Sequence, residues 1–145
     1  MPLVAYEQAI KIDPNNASTY IKKGNALVNL RRGEEALTAY EQAIKIDPND
    51  AQAYFCKGQQ LNYSLKHYGE ALLAYDEAVR LDPTDSLYCN RKGDMLTNLQ
   101  RYEEALKAYE KASELAGTSS YEYRTAQKGR QQILQLMRNM DQEKK

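Results

Sequence analysis

One phrase recurs along this chain at a nearly constant step. AYEQAIKIDPN begins at Ala5 and again at Ala39, AYDEAVRLDPT begins at Ala74, and AYEKASELAGT begins at Ala108, so the steps are 34, 35 and 34 residues. Other columns keep the same register: Gly24, Gly58 and Gly93; Ala36, Ala71 and Ala105; Ala9, Ala43, Ala78 and Ala112; Pro14, Pro48 and Pro83. A period of this length means a stack of small units. Each unit is too short to bury its own apolar face and leans on its neighbour.

Each column has a physical reading. The first segment of a unit, such as Ala17–Leu30, places Tyr20, Leu27 and Leu30 at helical spacing with Gly24 between them. A glycine inside a helix costs about 0.5–1 kcal/mol against alanine. It is kept where another helix packs too close for a side chain, so Gly24, Gly58 and Gly93 are expected at helix contacts. The second segment, Glu34–Ile46, carries Ala36, Leu37, Tyr40, Ala43 and Ile44 on one stripe, with Glu34 and Glu35 in a first turn where the helix dipole favours acids. Asp-Pro at 13–14, 47–48 and 82–83 ends each second helix, because the residue before proline leaves the helical region. Asn16, Asp50 and Asp85 then stand where the next helix needs an N-cap. The unit around Leu65–His67 has one extra residue, and a bulged turn is expected there.

These columns resemble the tetratricopeptide repeat family over nearly the whole chain. The matching residues are the aromatics Tyr20 and Tyr54, Gly24, Gly58 and Gly93, the alanines at 36, 71 and 105, Tyr40, Tyr75 and Tyr109, the alanines at 43, 78 and 112, and Pro48 and Pro83. Cys89 departs from an expected aromatic, Gly117 from a closing proline, and Lys23, Lys57 and Lys92 from a frequent leucine. A lysine stem can lie along an apolar seam with its charge in water. The resemblance implies an all-α fold, a right-handed superhelical solenoid of antiparallel helix pairs. The expected division of this single array is a second helix of an incomplete unit at 1–16, repeats at 17–50, 51–85 and 86–119, and a capping helix at 120–145. Pro2 stands where the repeat has a small alanine, and the opening unit lacks a first helix, so upstream repeats are expected. Tyr123, Ala126, Arg130, Ile133, Leu134, Met137 and Met140 give the last helix one packing face.

Chemistry within the chain finds little support. Twenty basic residues balance twenty acidic ones, without the basic excess that phosphate neutralisation uses, so nucleic acid is not an expected partner. No apolar run reaches the roughly 20 residues that span a bilayer, and no membrane partner is expected. His67 is the single histidine, and Cys56 and Cys89 fall in different repeats, so neither a metal site nor a redox pair is spelled out. No phosphate-binding loop or nucleophile elbow appears. The expectation is a protein that is not an enzyme, carries no cofactor and resides in the cytoplasm with reduced thiols.

The resemblance implies that first helices line a concave groove that holds a protein or peptide. Residues expected in that groove are Ile21, Lys22, Asn25 and Asn29, then Phe55, Gln59 and Tyr63, then Asn90, Arg91, Asp94 and Asn98. Amides recur among them, and each offers donors and an acceptor to an extended backbone. Ile21, Phe55 and Leu87 are expected as apolar sub-pockets. The amides can equally be read as solvated helix residues. Some family members grip a C-terminal carboxylate through positions that correspond here to Ile21, Asn25, Cys56, Leu87 and Arg91. Only Asn25 and Arg91 match that pattern and both lysines are missing, which disfavours this use. Two alternatives remain: end-to-end self-association through the opening helix, and a regulatory region of a larger enzyme.

Overall fold

The computed structural model describes residues 3–145, and the substitution at Pro2 lies outside them. The described residues form eight helices: α1 (Leu3–Ile12), α2 (Ala17–Asn29), α3 (Gly33–Ile46), α4 (Ala51–Tyr63), α5 (Tyr68–Leu81), α6 (Ser86–Asn98), α7 (Tyr102–Leu115) and α8 (Tyr121–Glu143). Within each of two compact units, short turns fold each helix back on its predecessor.

The turns follow local side-chain chemistry. The side chain of Asn16 accepts from the Thr19 N–H, that of Asp50 from Gln52, and that of Asp85 from both Leu87 and Tyr88. Each satisfies a backbone donor that a helix start leaves without a partner. Between the helices of each pair the chain passes through a left-handed residue: Arg31, Lys66 or Gln100, with φ of 59°, 54° and 59°. In two of these turns the closing bond spans five residues, Arg32 N–H to Leu27 O and Arg101 N–H to Leu96 O. In the middle one His67 N–H reaches Leu61 O, six residues back, which is how the extra residue is absorbed.

The glycine column is a packing column. A Cβ built on Gly24 would fall 2.5 Å from the Tyr40 ring, one on Gly58 2.7 Å from Tyr75, and one on Gly93 2.7 Å from Tyr109. The tyrosine column thus fills the notch that each glycine leaves in the facing helix. Gly129 of α8 makes the same contact from another side, with a Cβ 2.6 Å from Tyr109. Tyr109 is therefore held between two glycine notches.

The chain divides into two compact units, α1–α5 ending at Leu81 and α6–α8 beginning at Asp82. In the first, α2 packs on α3, α4 on α5, and α3 on α4, while α1 rests on α2. Its core gathers Ile21, Leu27, Ala36, Ala39, Tyr40, Ala43 and Ala53, with Leu3, Ala17, Tyr20, Ile44 and Cys56 against it. Helix α1 has no fully buried residue, and Val4 and Ile12 are exposed. In the second unit α6 and α7 pair and α8 packs on both. Ala126, Gly129 and Ile133 are the buried face of α8. Leu30 and Met140, expected on packing stripes, are exposed instead, and each lies at or near the end of its helix.

The lysines at the family's leucine position act across helices. Lys23 lies 4.0 Å from Glu7 and Lys57 3.5 Å from Glu41, with both lysine side chains about three-quarters buried. Arg130 repeats the contact with Glu110 at 3.7 Å. The stem packs in the seam while the charge meets a carboxylate of the preceding helix. Pairs whose carboxylates are about half exposed add about 0–1 kcal/mol each.

Candidate functional site

Helix α2 rises between two depressions. One lies toward α4 and is lined by Asn25, Val28, Asn29, Tyr40, Cys56, Gln59, Gln60, Tyr63 and Ser64, with a volume of about 350 Å³. The other lies toward α1 and is lined by Leu3, Tyr6, Lys22, Asn25, Ala26, Asn29 and Leu30, again about 350 Å³. Asn25 and Asn29 line both and so form the saddle between them. Among the described residues no charged side chain lines the α2/α4 depression.

The polar groups there are held in defined states. The Tyr40 hydroxyl donates to Asn25 Oδ1 at 2.7 Å. Burial holds that hydroxyl protonated well above the usual tyrosine range, with the neighbouring Cys56 adding to it. Burial likewise pushes the Cys56 thiol up to about 11, assisted by the negative charge of Asp50. A thiol so placed is neutral at pH 7 and a poor nucleophile. Gln60 is only 3% exposed, and its Nε2 has no hydrogen-bond partner.

The structure separates the residues expected in the groove. Asn25, Asn29, Gln59 and Tyr63 come together in the α2/α4 depression, and Lys22 joins the α1/α2 one. Ile21 and Phe55 do not face outward. Ile21 is 5% exposed in the core, and Phe55 is 8% exposed with its ring centroid 5.8 Å from that of Tyr75. They are packing residues rather than open sub-pockets, because first helices are covered on more than one side. Leu87 is half-buried.

In the second unit Asn90 is also inside. It is 1% exposed, and its Nδ2 donates to the Glu122 carbonyl of α8 at 2.9 Å. Arg91 pairs with Asp94 at 3.2 Å, and Asp94 Oδ1 accepts from the Tyr109 hydroxyl at 2.6 Å. Thr97 donates to the Gly93 carbonyl at 2.8 Å and lies 3.4 Å from the Tyr109 hydroxyl. Asn98 is exposed. Tyr40, Gln60 and Ser64 belong to the α2/α4 depression without having been expected in it. Tyr40 reads as pure core from its column, and only its hydroxyl reaches the surface chemistry.

Elsewhere His67 is exposed and lies 3.7 Å from Glu70. Among the described residues no three His, Cys, Asp or Glu side chains are grouped to hold a metal, and no helix is long and apolar enough to cross a membrane.

Helix pairs, a glycine–tyrosine notch and a 34-residue period define a helical-hairpin repeat protein. Tetratricopeptide repeat models match residues 21–86 and 86–119, and the chain belongs to that family. No curated protein matches it in sequence. It is similar to the crystal structure of YrrB, described as a TPR protein with an unusual peptide-binding site, with 24% identity, TM-score 0.81 and coverage of 97% of this chain and 70% of that one. It is similar to the first TPR of Spaghetti (RPAP3) bound to the HSP90 peptide SRMEEVD, with 26% identity, TM-score 0.75 and coverage of 83% and 92%. It is also similar to MamA, with 20% identity, TM-score 0.75 and coverage of 97% and 89%. These likenesses establish the all-α solenoid class of helix pairs.

Proposed function

We propose that this chain is a protein-interaction scaffold that binds an extended segment of another protein across α2, with Asn25, Asn29, Gln59 and Tyr63 as contacts. The observation that carries the reading is the pair of adjoining depressions joined at Asn25 and Asn29. Two of the similar structures are described as peptide-bound or peptide-binding, which supports the same reading. A row of carboxamides suits a peptide backbone, which presents alternating donors and acceptors. A single short segment is expected to bind near micromolar, about 8 kcal/mol. The test is capture of partners from native lysate by the wild-type chain beside Asn25→Ala/Gln59→Ala. Both side chains lie at the cavity rather than in the core, so the variant is expected to fold. Loss of a partner with the folded variant supports the reading, and unchanged capture removes it.

A second reading rests on α1. Val4 is 59% and Ile12 86% exposed on a helix that packs chiefly on α2. Such a face favours head-to-tail association with another copy, a contact that need not close on itself. A mass that stays monomeric at high concentration would remove this reading.

A further inference from the structure

We propose that the α2/α4 cavity is selective for an uncharged extended peptide segment, recognised through its backbone carbonyls, and that Tyr40 is the positioning residue that sets this selectivity. The proposal rests on the reading of the groove as a docking site.

The Tyr40 ring is wedged into the notch at Gly24, so its hydroxyl has little freedom. That hydroxyl donates to Asn25 Oδ1 at 2.7 Å. A carboxamide has one acceptor oxygen and two N–H donors. With its oxygen engaged, Asn25 is oriented to offer N–H groups to whatever lies in the cavity. The Gln60 Nε2, by contrast, is buried against Gly33 and does not open onto the cavity. Asn25 thus presents donors among nine uncharged lining residues, and the complement at that point is an acceptor. A peptide carbonyl meets that need. A carboxylate would too, but it would lose hydration with no cation among the nine lining residues to compensate.

The second unit supplies an internal contrast. Asp94 follows Gly93 as Asn25 follows Gly24, and the Tyr109 hydroxyl donates to Asp94 Oδ1 at 2.6 Å as Tyr40 does to Asn25. There the other oxygen, Oδ2, is taken by Arg91 at 3.2 Å. The tyrosine lock is therefore common to both units. The residue it holds decides the chemistry, a neutral donor in α2 and a paired acid in α6.

The test uses two libraries of nine-residue peptides, acetylated and amidated at their ends. One lacks Asp, Glu, Lys, Arg and His, and the other carries Asp or Glu at alternate positions. Each is selected on the full chain, and the dissociation constants of the best binders are measured for wild type, Tyr40→Phe, Asn25→Asp and Asn25→Ala/Gln59→Ala. The Asn25 side-chain NH₂ resonances of the free protein are recorded in parallel. The neutral library is expected to be retained in preference to the acidic one. Tyr40→Phe keeps the ring in its notch, and is expected to weaken neutral binders about three- to tenfold, the worth of one hydrogen bond, and to shift the Asn25 NH₂ signals. Asn25→Asp, which leaves Tyr40 in place, is expected to weaken them more. Preference for the acidic library, or Tyr40→Phe binding that is unchanged while the double variant loses it, overturns the inference and leaves the groove as a docking site. Retention of neither library, or equal retention by the double variant, overturns the docking reading and the inference with it.

Discussion

Placing a methyl group at Gly93 pits two effects of opposite sign against each other. Alanine is the better helix former by about 0.5–1 kcal/mol, and in open space the change would stabilise α6. Here the new Cβ would sit 2.7 Å from one Tyr109 ring carbon and 2.9 Å from two others. The ring cannot swing aside. It is 3% exposed, its hydroxyl is bonded to Asp94 at 2.6 Å, and Gly129 of α8 closes on it from another side. Forcing a carbon into a filled core costs about 1–3 kcal/mol. With the ring fixed the upper part of that range applies, and the propensity gain of up to about 1 kcal/mol leaves a net loss of about 1–2 kcal/mol. At about 2–4 °C per kcal/mol for a chain of this size, the thermal midpoint should fall by several degrees. Gly69→Ala is the control, because nothing lies within 4 Å of its Cβ position in the first turn of α5. It should be neutral or slightly stabilising. Both variants are measured by urea denaturation, comparing midpoints at unchanged slope. If Gly93→Ala is as stable as wild type, the notch has room, and the account of the glycine column is wrong.

Other perturbations should separate in the same way. Asp85→Ala removes an acceptor shared by the Leu87 and Tyr88 N–H groups and should cost about 1 kcal/mol in urea denaturation. Ile133→Ala, at a fully buried position of α8, should cost about 2–5 kcal/mol, whereas Met140→Ala, farther along the same helix and exposed, should stay within about 0.5 kcal/mol. Gln100→Gly relieves a left-handed backbone at φ 59° and should raise stability by about 0.5–1 kcal/mol. Tyr40, Cys56 and Tyr109 all hold their protons more tightly in the fold than free side chains do, chiefly through burial. The unfolded chain releases those protons first as pH rises, so their contribution is complete below about pH 8 and is lost progressively above it. Denaturation midpoints should fall between pH 8 and 11, and Tyr40→Phe/Tyr109→Phe should fall less steeply.

Much of the fold was legible in the sequence because the repeat prints the same physical requirement several times. Asn16, Asp50 and Asp85 read as N-caps, and each accepts from a helix-start N–H. The glycine column read as close packing, and each member faces a tyrosine of the facing helix. Gly129 escaped notice because it follows Gly93 by 36 residues, outside the 34–35 period, and nothing else in α8 repeats the phrase. The site was legible only in part. Helical spacing tells which residues share a face, but a first helix in a stack is covered by its own partner and by a neighbouring unit. Ile21 and Phe55 fell on the covered part, and Asn90 was turned inward by the Glu122 carbonyl of a helix 32 residues away. The Tyr40–Asn25 bond joins residues 15 apart across a helix pair, and no local pattern announces it.

The most direct measurement is a nuclear magnetic resonance titration of the labelled chain with a peptide segment taken from a captured partner. The account expects the side-chain amide signals of Asn25, Asn29 and Gln59 to move together and to saturate with one dissociation constant. Movement confined to α1 around Val4 and Ile12, with those amides unchanged, would contradict it.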